Sequence, residues 1–232
     1  MKLQITVAAA WALACAAALS AQTGKPPDGF TPIFNGKDLK GWHISRTCHH
    51  GSTPNIFVEN GVIMLKQSPF GMGGILLTDK KYKDFELYLE ANPDWGCNGG
   101  IFFRSAESGT AYQIELHPKN NNLALLGEVL RVTKGATAPD ADKVWKEDQW
   151  NAIRLRVTGE IPHVTLWLND VQMYDVTCER NDLIADAKDG MIALQSHWVS
   201  SNAAIGATMT MNSSWKPNAA HRFRNIAIKE LK

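Results

Sequence analysis

The chain has 232 residues, of which 44% are hydrophobic and 20% charged, with a formal charge of +1 and a sequence pI near 7.7. That apolar content excludes a disordered chain and suffices for one sizeable core. Near-neutrality removes the electrostatic case for nucleic acid or an anionic membrane surface as partner, so a neutral or weakly charged ligand fits better.

Residues 1–21 carry a positive start at Lys2, the apolar run LQITVAAAWALACAAAL and the small-residue exit ALSAQ, the pattern of an export signal. The run is too short and too rich in alanine for a membrane span, and apolar residues continue past Cys15, which fits a lipidation site poorly. A secreted or periplasmic protein beginning at Ala21 or Gln22 is expected. Residues 22–29, QTGKPPDG in the main, read as a linker, and residues 30–232 as a single domain. Three cysteines remain, Cys48, Cys97 and Cys178. In an exported chain that odd number predicts one disulfide and one free thiol, with all three pairings open. Cys48, His49 and His50 are adjacent, so their side chains diverge. They read as a loop, and no metal or cofactor is expected.

From Phe30, anchors Ile33, Phe34, Leu39 and Trp42 are separated by the turn residues Asn35, Gly36 and Gly41, which suggests a strand, a tight turn and a tucked Trp42. IFVENGVIMLK is a hairpin with Asn60-Gly61 as a type I′ turn. SPFGMGGILLT lacks the ending of a phosphate loop and reads as a surface loop entering a strand. KDFELYLEANP puts Phe85, Leu87 and Leu89 on one face and Asp84, Glu86, Tyr88 and Glu90 on the other. The stretch GGIFFRSAESGTAYQIELH is a hairpin around which the rest is organised. Its second half sets Tyr112, Ile114 and Leu116 against Gln113, Glu115 and His117, and its first half sets Ile101 and Phe103 against Phe102 and Arg104. Residues 118–149 read as a long excursion with one or two short strands. WNAIRLRVTGE, the hairpin IPHVTLWLNDVQMYDVT, GMIALQSHW with Gln195 and His197 on one face, and HRFRNIAIKEL complete the strands. With no long amphipathic helix, the pattern predicts an all-β sandwich or barrel.

GFTPIFNGKDLKGWH, LLTDKKYKDFELYLEANP, CNGGIFFRS, YQIEL, QWNAIRLRV, HVTLWLND, GMIALQSHW and FRNIAIKEL occur in that order. In this the chain, over residues 28–232, resembles the bacterial 3-keto-disaccharide hydrolase domain family. The resemblance implies a two-sheet antiparallel jelly-roll sandwich of the concanavalin A-like lectin/glucanase type, with ligand on a concave face. It also implies an exported protein acting on glycans already oxidised to a ketone at C3. Asn98 and Arg104 fall on the family's Asn and Arg, and Gln195 and His197 on its LQxH strand. Two departures stand out. The family's Tyr-Glu-x-Gln is here Tyr112, Gln113, Ile114, Glu115, with acid and amide exchanged, and Gly99 replaces a usual Ser.

A ketone at C3 acidifies the C2 proton, so a base and a donor to the enolate oxygen suffice for loss of the C1 substituent. The resemblance and the strand parity together assign Arg104, Glu115, His117 and His197 to catalysis and Asn98, Gln113 and Gln195 to substrate contact. Arg104 would be the electrophile, Glu115 or His197 the base and His117 the acid. A non-catalytic carbohydrate-binding module and a conventional glucanase are the alternatives. The second lacks its strand motif ExDxxE, and Asp84, Glu86 and Glu90 read better as a solvated acidic face.

Overall fold

A computed structural model describes residues 24–51, 54–94, 97–116, 123–127, 132–183, 186–198 and 218–232. The expected export segment and His117 lie outside the described residues. Two antiparallel sheets face each other. The first is eight-stranded, with β12 (Val171–Thr177), β11 (His163–Leu168), β10 (Asn151–Thr158), β6 (Phe85–Ala91), β14 (Ala220–Glu230), β4 (Val62–Lys66) and β3 (Asn55–Glu59) side by side. The short β1 (Thr31–Pro32) pairs with the far half of β14. The second sheet runs β2 (Trp42–Ile44), β5 (Gly74–Tyr82), β13 (Gly190–Ser196), β7 (Gly99–Ser105), β8 (Tyr112–Leu116) and β9 (Leu125–Leu126). This is the expected sandwich.

Alternation fills the space between the sheets. Phe85, Leu87 and Leu89 of β6 and Ile153, Leu155 and Val157 of β10 meet Ile101, Phe103, Ile114, Ile192 and Leu194 of the second sheet, all within one buried cluster. Each such side chain contributes about 1.5–3 kcal/mol by leaving water. Trp42 is 6% exposed and donates Nε1–H to the Ile33 carbonyl at 2.7 Å, so the tucked aromatic is a core member with its polar atom satisfied. Asn60 and Gly61 both have positive φ, 51° and 80°, as a type I′ turn requires, and Asn169 and Asp170 repeat the arrangement at 49° and 66°.

Two irregularities position side chains. In β14 the register shifts between Arg224 and Ala227 around Asn225, whose φ is 51°. That bulge lets Phe223 and Ile226, three positions apart, face the same core. A second shift, between Met191 and Ala193 of β13, accompanies φ of 53° at Arg104 on β7.

The excursion after β8 holds β9 and a four-residue helix, α1 (Ala141–Val144), which the sequence did not announce. Ala136, Ala138, Ala141 and Trp145 from this stretch are buried in the main core. The expected disulfide does not form among the described residues: Cys48 and Cys178 are free thiols, and all three cysteines are buried. Cys178 belongs to the main core, Cys48 to an apolar cluster on the outer face of the second sheet, and Cys97 packs with Ala219.

Candidate active site

The outer face of the six-stranded sheet carries the polar set. Across it, Gln195, Gly100 and Glu115 are register partners on three neighbouring strands, and the next row is Ala193, Phe102 and Gln113. Gly100 has no side chain, and the middle of the first row, between Gln195 and Glu115, is filled by neighbouring side chains, with Phe102 Cε1 2.9 Å from where a Cβ would stand. A Cβ there would stand 2.7 Å from Gln113 Nε2 and 2.9 Å from Gln113 Cγ.

Asn98, just before β7, joins the ends of this set. Its carbonyl accepts from the His197 backbone N–H at 3.2 Å, and its Nδ2 donates to Glu115 Oε1 at 3.2 Å. Gln113 Nε2 donates to Gln195 Oε1 at 3.3 Å, and Gln195 Nε2 donates to His50 Nε2 at 2.9 Å. The His50 ring meets the His197 ring edge-on, with centroids 5.0 Å apart, and the His49 ring at 4.0 Å. Six of the seven residues expected here from sequence are described, and five come together: Asn98, Gln113, Glu115, Gln195 and His197.

Two imidazoles in this set are held neutral. Burial, reinforced by repulsion from His197 and His49, pushes the His50 pKa down to about 3. Burial also pulls His197 below its ordinary value of 6.5, against the Trp198 carbonyl that favours its charged form. Nδ1 of His197 lies 2.7 Å from that carbonyl, which only accepts. Nδ1 therefore carries the ring proton, and Nε2 presents a lone pair.

The rest of the face is apolar and covered. Cys48, Ile75, Leu77, Phe102, Ala111, Met191 and Ala193 form a second buried cluster. The β7–β8 loop crosses it to β2, where the Glu107 carbonyl accepts from Ser45 Oγ at 2.6 Å and the Glu107 side chain meets His43 Nε2 at 2.9 Å. His43 Nδ1 meets Asp79 at 2.7 Å. Two cavities lie elsewhere. One of about 810 Å³ is lined by Trp42, His43, Arg46, Pro54 and Glu107, and one of about 180 Å³ by Tyr112, Thr133, Cys178 and Asp182. Neither includes Glu115 or His197.

Arg104 does not join the set, which corrects the expectation from strand parity. Its side chain has no exposed surface and lies 3.9 Å from Asp84. Its guanidinium donates to the Glu160 carbonyl at 3.0 Å and the Gly159 carbonyl at 2.5 Å, in the turn between β10 and β11 of the opposite sheet. The reason is local: positive φ at Arg104 and the register shift break the two-residue alternation one step after Phe103. Gly190 permits this, since a Cβ there would lie 2.2 Å from the Arg104 carbonyl carbon.

His50 is the member that sequence reasoning missed. Treated as a loop residue, it is 7% exposed and bonded to Gln195. The adjacent triplet Cys48-His49-His50 was the available signal, since Cys48 packs into the face and anchors the loop over it. The acidic face on β6 is likewise paired rather than solvated. Glu90 is fully buried with Arg224 at 2.6 Å, and Glu86 lies 3.8 Å from Arg154. It belongs to the other sheet.

The architecture is the jelly-roll sandwich shared by carbohydrate-binding and carbohydrate-cleaving proteins. The chain belongs to the 3-keto-alpha-glucoside-1,2-lyase-like domain family, whose profile matches residues 29–229. A 3-keto-disaccharide hydrolase of Bacteroides thetaiotaomicron is 34% identical over 86 residues, 34% of this chain and 29% of that protein, so the match spans less than a third of the relative's length. Among solved structures, a putative glycosyl hydrolase from Parabacteroides distasonis superposes with a TM-score of 0.58 at 19% identity, covering 88% of this chain and 94% of the other. The carbohydrate binding module CBM66 from Bacillus subtilis gives 0.53 at 14% identity over 82% and 96%. At these identities both show the fold alone.

Proposed function

We propose that this protein cleaves 3-keto glycosides by removing the C2 proton and expelling the C1 substituent. The family's lyase-like description and the relative's name supply the substrate class, and the observation that carries the chemistry is the Asn98 joint. One residue holds His197 through its carbonyl and Glu115 through its side chain. That ties an imidazole and a carboxylate to one residue at the end of the same sheet face. His197 Nε2, unprotonated and uncharged, takes the C2 proton. The electron pair moves toward the C3 oxygen as an enolate, then returns to break the C1–O bond, and the departing oxygen takes a proton. Addition of water across C1–C2 completes a net hydrolysis.

Arg104 is engaged elsewhere, so donation toward the enolate oxygen falls to the Asn98 amide. His117, outside the described residues, keeps its place as the candidate acid, with Glu115 the second candidate for either proton step. Residues 1–21 we read as an export signal that places this activity outside the cytoplasm. A mature amino terminus at Ala21 or Gln22 by mass spectrometry supports that, and a retained Met1 overturns it.

The test is turnover of a 3-keto glucoside against the parent glucoside. The wild type is expected to cleave only the ketone. His197→Asn and Glu115→Gln are each expected to lower kcat by on the order of 10²-fold or more, the usual range for a positioned acid or base. Both keep the side chain's approximate shape. Binding of the 3-keto glucoside without cleavage would instead establish a carbohydrate-binding module, and equal cleavage of the parent glucoside would establish a conventional hydrolase.

A further inference from the structure

His50 makes no obvious claim on a substrate, yet it is buried, and its bond to Gln195 begins a directed chain. A neutral imidazole has one accepting nitrogen, and both nitrogens of His50 lie within reach of Gln195 Nε2, its Nε2 at 2.9 Å and its Nδ1 at 3.5 Å. That contact turns Gln195 Oε1 the other way, where it accepts from Gln113 Nε2 at 3.3 Å. Gln113 Nε2 is further occupied by the Gly99 carbonyl at 3.4 Å. Each amide can be reversed only if both are, because two Nε2 groups, or two Oε1 groups, facing each other lose the bond between them. Gln113 Oε1, at the far end, has no hydrogen-bond partner among the described residues and is not among the sealed, unpaired atoms. The chain therefore ends in an acceptor beside Gly100 and Glu115.

We propose that His50 is a positioning residue that fixes the polarity of the Gln195 and Gln113 amides, so that the site offers Gln113 Oε1 to a hydroxyl of the bound sugar. A ring that donated to Gln195 would favour the reversed amides, which offer an N–H instead and give up the bond from Gln113 Nε2 to the Gly99 carbonyl. The groups that bear on the His50 ring are His49 in its own loop, His197 after β13, Gln195 on β13 and the Cys48 thiol, whose Sγ accepts from the His50 backbone N–H at 3.4 Å. None of these is an acid, and burial favours the neutral ring. The ligand half of this proposal rests on the reading of the site as a 3-keto sugar site. The amide polarity does not.

Side-chain NMR of the ligand-free, ¹⁵N-labelled protein separates the two. The expected result is an unprotonated, hydrogen-bond-accepting His50 Nε2 across neutral and mildly acidic pH, with the Gln195 and Gln113 amide signals displaced in His50→Leu and restored in His50→Gln, whose Oε1 reaches the same place. A protonated Nε2 overturns the proposal, as do amide signals indifferent to His50→Leu. With a 3-keto glucoside, His50→Leu is expected to raise KM about tenfold with a smaller change in kcat, the worth of one good hydrogen bond, and His50→Gln to recover most of it. Equal loss in both variants would mean mere packing and would overturn the positioning role. Should His50→Leu fail to fold, the wild-type ring and the Gln variant still decide. Absence of turnover in every form, with the amide result intact, would count against the function alone.

Discussion

Arg104 shows how a single backbone angle moves a charge from one job to another. On a regular strand its guanidinium would lie beside Phe102 on the outer face. With φ at 53° it crosses to the opposite sheet and supplies main-chain carbonyls at Gly159 and Glu160. Removing it strands those carbonyls, so Arg104→Met is expected to cost roughly 1–3 kcal/mol of stability. Activity per folded molecule should be nearly unchanged, as denaturant unfolding and active-site titration together would show. A turnover defect without a stability defect would return Arg104 to the chemistry. Gly99 supplies a second case. A Cβ there would stand 2.4 Å from the Gln195 carbonyl oxygen and 2.6 Å from His221 Nε2. Gly99→Ser, which restores the family's usual residue, should therefore destabilise by about 1–3 kcal/mol; a neutral thermal shift would refute this close approach. The exchange of acid and amide between positions 113 and 115 is milder, because both face outward and the carboxylate moves only from the Phe102 row to the Gly100 row. Parity in YQIEL predicted that pair correctly. It failed at Arg104 because a bulge has no signature in the residues that form it.

Among the elements, the β7–β8 loop is fastened to the edge strand β2 by an ionic clasp, with His43 between Asp79 and Glu107. Burial of the His43 ring favours the neutral form, but hydrogen bonds and charge from Glu107 and Asp79 together outweigh it and raise the pKa above 6.5. The hydrogen bond from His43, more than the Arg46 backbone N–H, lowers Glu107 below 4.5 despite some desolvation. The two signs define a window. The His43 contribution is complete below pH 6.5 and lost as pH rises through its raised value. The Glu107 contribution is complete above pH 4.5 and lost as pH falls through its lowered one. Both groups are partly exposed, which keeps the effect near the surface-pair range of about 0.2–1 kcal/mol. His43→Ala should lower Tm slightly near pH 5.5 and leave it unchanged well above the raised value. A deficit that persists at alkaline pH would show that the ring acts by packing alone. The hairpins at Asn60-Gly61 and Asn169-Asp170 were readable because turn chemistry is local, whereas the clasp joins residues 36 and 64 positions apart and left no mark in the sequence.

For the whole molecule, the family resemblance implied two sheets, whereas period-two alternation predicted only an all-β sandwich or barrel around an apolar core. Alternation could not say which strands adjoin. That order is set by long-range pairing, and it brings Asn98, Glu115, Gln195 and His197 to one face while leaving Glu86 and Glu90 on the other sheet, each paired with an arginine. The place of His50 was hard to read for the same reason, because its partner Gln195 stands 145 positions away along the chain. The neutral His197 has a consequence for the pH profile. With its pKa pulled below 6.5, the acid limb of kcat/KM on a 3-keto glucoside should fall below pH 6.5, and a limb centred above that value would assign the base elsewhere.

Cleavage of a 3-keto glucoside in D₂O, followed by NMR of the released 3-keto sugar at early times, tests whether a base on this face takes the C2 proton. The mechanism predicts deuterium at C2 of every product molecule formed by the wild type, in excess of the exchange seen in unreacted substrate, and its loss together with turnover in His197→Asn. Product that forms at the full rate with its original C2 proton would contradict it.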